Sequence, residues 1–173
     1  MLGAVPGRTT LVNERFMPLI ALLGATAGCA SSEVVLRATG AGAVAFGGAL
    51  AEVELMVGEK ASGPIPATGC GYVEFRSLPG LRFTVENGVV TRADAGPGVR
   101  NALGVQVGDS VDSVVYLYPD VARLDNPGAL TGASLVFADP DGRHAIVMQA
   151  AGDTIISIRA GLSRAVGSPE GCP

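Results

Sequence analysis

Phe46-Gly-Gly-Ala-Leu-Ala-Glu-Val-Glu-Leu-Met-Val-Gly58 and Val107-Gly-Asp-Ser-Val-Asp-Ser-Val-Val-Tyr-Leu-Tyr-Pro119 align without gaps at an offset of 61 residues. In the second stretch Val111, Val114, Val115 and Tyr118 fall at i, i+3, i+4 and i+7, which places them on one helical face. Asp109 or Ser110 stands where an N-cap belongs, and Pro119 stops the helix. The first stretch keeps the stripe at Leu50, Val53 and Val57 and ends at Gly58. The β-branched content lowers intrinsic helix propensity, so packing must hold the second helix.

Strand-like runs follow each helix. After the first come 71–76, 81–86 and 89–94; Leu81, Phe83 and Val85 alternate with Arg82, Thr84 and Glu86 as in a half-buried strand. Asn87-Gly88 is a strong two-residue hairpin signal. After the second helix come 134–138, 143–149 and 154–159, with Ala151-Gly152 in the place of Asn87-Gly88 and Ala160-Gly161 in that of Ala95-Gly96. The pattern predicts an α+β fold of two tandem repeats, each a short helix packed on a three- to four-stranded antiparallel sheet. Unit 1 spans 46–96 and unit 2 spans 97–173, packed on unit 1. Gly63-Pro64-Ile65-Pro66 and Asp125-Asn126-Pro127-Gly128 read as loops at equivalent places, between helix and first strand. Ala95-Gly-Pro-Gly-Val99 is too short a joint for a free linker.

The N-terminal region reads as a secretory leader. Arg8 and Arg15 precede a short apolar stretch, Phe16 to Gly24, and the small-residue run Ala25-Thr26-Ala27-Gly28. The apolar core is about a dozen residues, short of the roughly 18 or more needed to span a bilayer. Residues 1–28 are therefore expected to be a cleaved signal peptide. Cys29 follows directly, and residues 29–45 read as a lipidated N-terminus with a flexible, glycine-rich lead-in. Ala25-Thr26-Ala27 also fits the pattern for ordinary secretion, in which cleavage after Ala27 releases a soluble protein.

Three cysteines occur, Cys29, Cys70 and Cys172. With Cys29 lipidated, an exported chain leaves Cys70 and Cys172 as an even pair, and a disulfide is the economical assignment. The 173-residue chain carries 12 Lys and Arg against 16 Asp and Glu; without Arg8, Arg15 and Glu14 the remainder holds 10 against 15. That balance, with its bases unclustered, argues against nucleic acid and against adhesion to anionic lipid. With no Trp and few aromatics, the core must be built mostly from Val, Leu, Ile and Ala.

Cys29 at the exit of the leader resembles the lipobox of bacterial lipoproteins. Since Ala30 and Ser31 follow it, the resemblance implies the outer membrane, facing the periplasm, as the address. Phe46-Gly47 through Val53 and Val107-Gly108 through Val114 resemble the helix starts of tandem small α+β repeat proteins. The β-lactamase inhibitor protein is one such, and outer-membrane assembly lipoproteins of the BamE/SmpA type are a single-unit relative. The chain also resembles a group of bacterial secreted proteins without an assigned activity. That resemblance runs through Gly40-Ala-Gly42 to Phe46-Gly47, Cys70-Gly71-Tyr72, Val107 to Pro119, and Glu170-Gly171-Cys172, and it supports the Cys70–Cys172 pairing. The chain departs from the inhibitor's aromatic-rich concave face, since its only tyrosines are Tyr72, Tyr116 and Tyr118.

Catalytic signals are sparse. His144 is the only histidine, and no serine sits in a G-x-S-x-G elbow; His144 reads as a half-exposed strand residue. Asp139, Asp141 and Gly142 read as a Pro-Asp-Gly turn and not a calcium loop, because no Glu lies at the twelfth position. The glycines of 40–48 lack the context of a dinucleotide or phosphate loop. No catalytic residue, metal ligand or cofactor is assigned. The expectation is a non-enzymatic cell-envelope lipoprotein, anchored in the membrane by lipid and touching an envelope protein through Tyr116, Tyr118, Tyr72 and the loops 59–69 and 120–132. A periplasmic small-ligand binder is the alternative, and a hydrolase acting through His144 a further one. Mass spectrometry of the mature N-terminus is expected to find a diacylated or triacylated Cys29. A free thiol there, or a chain starting at Gly28, would support plain secretion.

Overall fold

A computed structural model describes residues 34–64, 68–125, 132–168 and 171–172. The elements in chain order are β1 (Val35–Arg37), β2 (Gly40–Ala41), β3 (Val44–Ala45), α1 (Leu50–Val57), β4 (Cys70–Val73), β5 (Leu81–Glu86), β6 (Val89–Ala95), β7 (Arg100–Asn101), α2 (Val111–Leu117), β8 (Ala122–Asp125), β9 (Ala133–Ala138), β10 (His144–Ala151), β11 (Thr154–Leu162) and α3 (Ser163–Val166). The fold is mixed α+β and rich in antiparallel strands.

Seven strands form one sheet in the order β4-β5-β6-β11-β10-β9-β8. The two expected sets of strands thus meet along β6 and β11 and share a single sheet. Ile158, Arg159, Ala160 and Gly161 pair with Ala95, Asp94, Ala93 and Arg92 across that seam. Gly161 is required there. A Cβ on it would stand 2.3 Å from the Thr91 carbonyl oxygen and 2.7 Å from Arg92 Cα, so any side chain would force the strands apart.

Each helix start is pinned to the hairpin of its own half. Gly47 and Leu50 N–H groups donate to the Val90 and Gly88 carbonyls, and Val90 N–H donates back to Gly48. In the other half Gly108 and Val111 donate to Ile155 and Asp153, and Ile155 donates back to Asp109. The hairpin strands each carry an irregularity, between Thr84 and Val85 in one and between Gln149 and Ala150 in the other. Asn87 and Gly88 both adopt positive φ, 50° and 79°, the backbone of a two-residue turn whose twist matches its strands. The corresponding turn is Gly152-Asp153, one residue beyond the expected Ala151-Gly152. Ser110 caps α2 by accepting from Ser113 N–H at 3.1 Å, whereas α1 has no side-chain cap and relies on the Leu50–Gly88 bond. Gly58 ends α1 in the left-handed conformation.

Two expectations are corrected. The glycine-rich 40–48 segment is not a flexible lead-in. Leu36, Ala41 and Val44 are buried in the main core, and β3-β2-β1-β7 form a second, four-stranded sheet in which β1 and β7 run parallel. The stretch 120–132 is not wholly loop either: Ala122–Asp125 pairs with β9 as an edge strand. Its four residues are all exposed, so no apolar pattern signals it.

The helices α1 and α2 share one core with the sheet, built on Leu50, Val53, Val111 and Val114 against Phe83, Met148 and Ile158. Alternate residues of β10, Ala145 and Val147, belong to a separate cluster with Val166 of α3, which puts α3 on the opposite face. That face is polar. Arg92 and Arg159 are each 3% exposed on it, although among the described residues Asp94 is the one carboxylate they approach. Carbonyls at the end of α3 and just beyond it supply the rest. Arg92 Nη1 donates to Ser168 O at 2.6 Å and to Ala165 O, and Arg159 Nε donates to Val166 O at 2.6 Å. Burial, and then the nearby Arg92 charge, bring Arg159 down to about 10.

Cys70 and Cys172 are joined, with Cα atoms 5.4 Å apart across 102 residues of sequence. The bridge ties the C-terminal segment to edge strand β4. Replacing both cysteines by serine is expected to cost roughly 4–5 kcal/mol, the loop-entropy value for a ring of about a hundred residues. Urea unfolding of the variant against the oxidised parent would measure it.

Candidate functional site

Each helix buries one face and leaves the other to solvent. In α1, Leu50 and Val53 face the core, while Leu55 and Met56 are 82% and 72% exposed. In α2, Val111 and Val114 face the core, while Tyr116 and Leu117 are 87% and 63% exposed. The two exposed pairs occupy matching positions, 61 residues apart. A single apolar side chain on a surface is ordinary, but paired large ones repeated at the same place on two helices need a reason. Beside the end of α2 lies an open groove of about 510 Å³, lined by Leu103, Leu117, Tyr118, Val121 and Phe137 among others.

The three tyrosines do not act alike. Tyr116 projects into solvent from α2. Tyr118 is half-buried: its hydroxyl donates to Leu103 O at 2.7 Å, and its ring stands edge-on to Phe137 at 5.2 Å. It holds α2 against β9 and forms a wall of the groove. Tyr72 lies on β4, where its hydroxyl accepts from Cys172 N–H at 2.9 Å and the Arg82 guanidinium stacks 4.7 Å from the ring centre. It belongs to the disulfide clasp. Of the expected contact residues, Tyr116 alone is fully presented; Leu55, Met56 and Leu117 join it. The stripe rule read Val57 and Tyr118 correctly as inward and left 55–56 and 116–117 outward, so the exposed pairs were visible as the other side of the same periodicity.

The loop after α1 is stitched down. Glu54 accepts from Lys60 Nζ and Ala61 N–H, and Glu59 accepts from Ser77 N–H and Oγ. These contacts, that from Lys60 first for Glu54 and that from the Ser77 hydroxyl first for Glu59, lower both carboxyls below their usual range. Residues 65–67 and 126–131 of the two expected contact loops, and Cys29, lie outside the described residues.

His144 opens β10 and is half-buried. The Asp139-Pro-Asp-Gly142 segment before it is a turn, as expected, closed by Gly142 N–H to Asp139 O at 3.0 Å. Asp139 accepts from His144 N–H, and its other oxygen lies 2.9 Å from His144 Nδ1. Asp141 accepts from the Arg143 N–H and from Arg143 Nε at 2.6 Å; these two contacts, the backbone one first, hold its carboxyl at about 2. A histidine backed by a carboxylate is two-thirds of a hydrolytic triad. The nearby Ser163 hydroxyl, however, donates to Gly142 O at 2.7 Å and not to the imidazole.

No protein family, curated protein or solved structure matches the chain significantly. Among the described residues, no helix is long and apolar enough to cross a membrane.

The tyrosines separate by stability. Tyr116→Ala is expected to stay within about 0.5 kcal/mol of the parent, whereas Tyr118→Ala should cost about 3 kcal/mol through lost packing and an orphaned carbonyl. Chemical denaturation of the two variants checks this.

Proposed function

We propose that this chain is a non-enzymatic cell-envelope lipoprotein, held to the membrane by a lipid on Cys29 and binding an envelope protein through the exposed ends of α1 and α2. The observation that carries this is the matched exposure of Leu55-Met56 and Tyr116-Leu117. The helix backbone is already ordered, which limits the entropy lost on binding, and Tyr116 is of the aromatic anchor type that dominates interface energetics. The Cys70–Cys172 bridge supports an oxidising compartment, which agrees with a cleaved leader at 1–28.

Within this reading the body is a tandem duplication related to the BamE/SmpA type and β-lactamase-inhibitor-protein type of repeat. Support comes from the paired sets of hydrogen bonds linking helix start to hairpin. Gly47, Leu50 and Gly48 are matched by Gly108, Val111 and Asp109, and Val90 and Gly88 by Ile155 and Asp153. A duplicated scaffold offers two similar helix ends to one partner, which binds with more avidity than either alone.

The groove beside α2 favours a second reading, a periplasmic small-ligand binder. Its volume suits a small molecule and its lining is mainly apolar, with the Tyr118 ring as one wall.

A photo-crosslinking amino acid placed at position 56 or 116 in the intact cell envelope is expected to capture the same single protein. The same probe at Arg164, on the opposite face, should not capture it. Identical products from all three positions, or none from 56 and 116, would refute the docking surface. Loss of crosslinking when an apolar solute fills the groove would favour the second reading.

A further inference from the structure

The turn between β9 and β10 gathers three side chains of the kinds that ligate metals. One oxygen of Asp139, one of Asp141 and one imidazole nitrogen of His144 lie within 4.8 Å of one another, the one such group of three found among the described residues. Their positions are set by the backbone. Asp139 N–H donates to His144 O and His144 N–H returns to Asp139 Oδ1, while the Ser163 hydroxyl fixes the Gly142 carbonyl. Asp139 and His144 are half-buried, and Asp141 is exposed and adaptable.

We propose that Asp139, Asp141 and His144 form a surface site for one divalent transition-metal ion of the zinc class, with solvent completing its shell. The donor set selects the ion. An imidazole nitrogen disfavours magnesium and calcium, and the absence of thiolate, with Cys70 and Cys172 oxidised, disfavours copper(I). Two carboxylates balance the ion's charge. In a tetrahedral shell with metal–ligand distances of about 2.0–2.2 Å, two donors on one ion stand about 3.3–3.6 Å apart. The most widely spaced pair therefore closes by about an ångström on binding, which the exposed Asp141 can supply. His144 Nδ1 and Asp139 Oδ2 already stand 2.9 Å apart, so two of the three donors are held together before an ion arrives. Arg143 is the built-in competitor. Its guanidinium neutralises Asp141 at 2.6 Å and, being largely exposed, is free to swing away. The site uses none of the exposed helix side chains and stands whether or not they dock a partner.

The test uses the full protein with its disulfide intact and no histidine tag, titrated with zinc by calorimetry and with cobalt(II) by visible absorption. One ion per chain is expected. His144→Ala and Asp141→Asn should each weaken binding about tenfold or more. Arg143→Ala should tighten it severalfold, because the competing charge goes while the backbone N–H to Asp141 stays. A merely structural role for the turn would not give that opposite sign. Unchanged circular dichroism and melting temperature confirm that the variants fold. The proposal is overturned by no saturable binding at millimolar zinc, or by His144→Ala binding as the parent does. Should His144→Ala fail to fold, parent-like affinity in both Asp141→Asn and Arg143→Ala overturns it equally.

Discussion

Everything in this molecule depends on the join between β6 and β11. It is a place where two backbones must approach with nothing between them, and the residues there are Ala93, Ala160 and Gly161. The small side chains let one seven-stranded sheet form where a three-stranded and a four-stranded one would each leave an open edge at the join. On the core side the seam is flanked by Ile158 and by Ala95. On the other side it places Arg159 opposite Asp94 and Arg92 next to both, so the join brings two buried cations together. One carboxylate cannot neutralise two guanidinium groups. The carbonyls of the short α3 and the residues after it do the remainder, the negative end of a helix serving as a counter-charge. Thus α3, at four residues too short to stand alone, is held by the cations that it in turn satisfies.

The same sheet decides which surfaces remain for function. Both helices are tethered at their N-terminal ends by reciprocal backbone bonds to the Asn87-Gly88 and Gly152-Asp153 hairpins, and each lies with one face on the core and the other in solvent. The solvent faces carry Leu55-Met56 and Tyr116-Leu117. Exposure of apolar side chains there follows the side of the helix that faces away from the core, and a partner would meet side chains whose backbone is already fixed. The edges of the sheet are guarded differently. The C-terminal segment, joined through Cys172, lies beside β4, while β8 carries the Arg123–Asp125 ion pair at an otherwise open edge.

Much of this was legible in the residues. Local signals carried Asn87-Gly88, the Gly58 cap, the Ser110 cap and the alternation of Leu81 to Glu86, because each depends on neighbours within a few positions. The cysteine pairing was legible by counting. Four features were not. Leu36, Ala41 and Val44 hid among glycines, since their burial depends on a parallel pairing with Arg100-Asn101 some sixty residues away. Strand β8 has no buried residue, hence no period to detect. Arg92 and Arg159 read as scattered surface charges, and only the fold reveals that carbonyls 73 and 76 residues from Arg92 are waiting for it. His144 was read alone, and its grouping with Asp139 and Asp141 needed the turn's geometry.

The halves of the sheet differ most where strands connect on the side away from the seam. Between β4 and β5 the turn buries Leu78 in the core and Glu59 fastens Ser77 from the loop after α1. Between β9 and β10 the corresponding turn buries nothing large and presents Asp139, Asp141 and His144. A turn that packs inward contributes stability, and one that turns polar donors outward contributes chemistry. The first half already has the disulfide and the loop contacts to fix its outer edge. The second half fixes its turn with short polar contacts instead, and it is those contacts that leave three ligand atoms facing a common point.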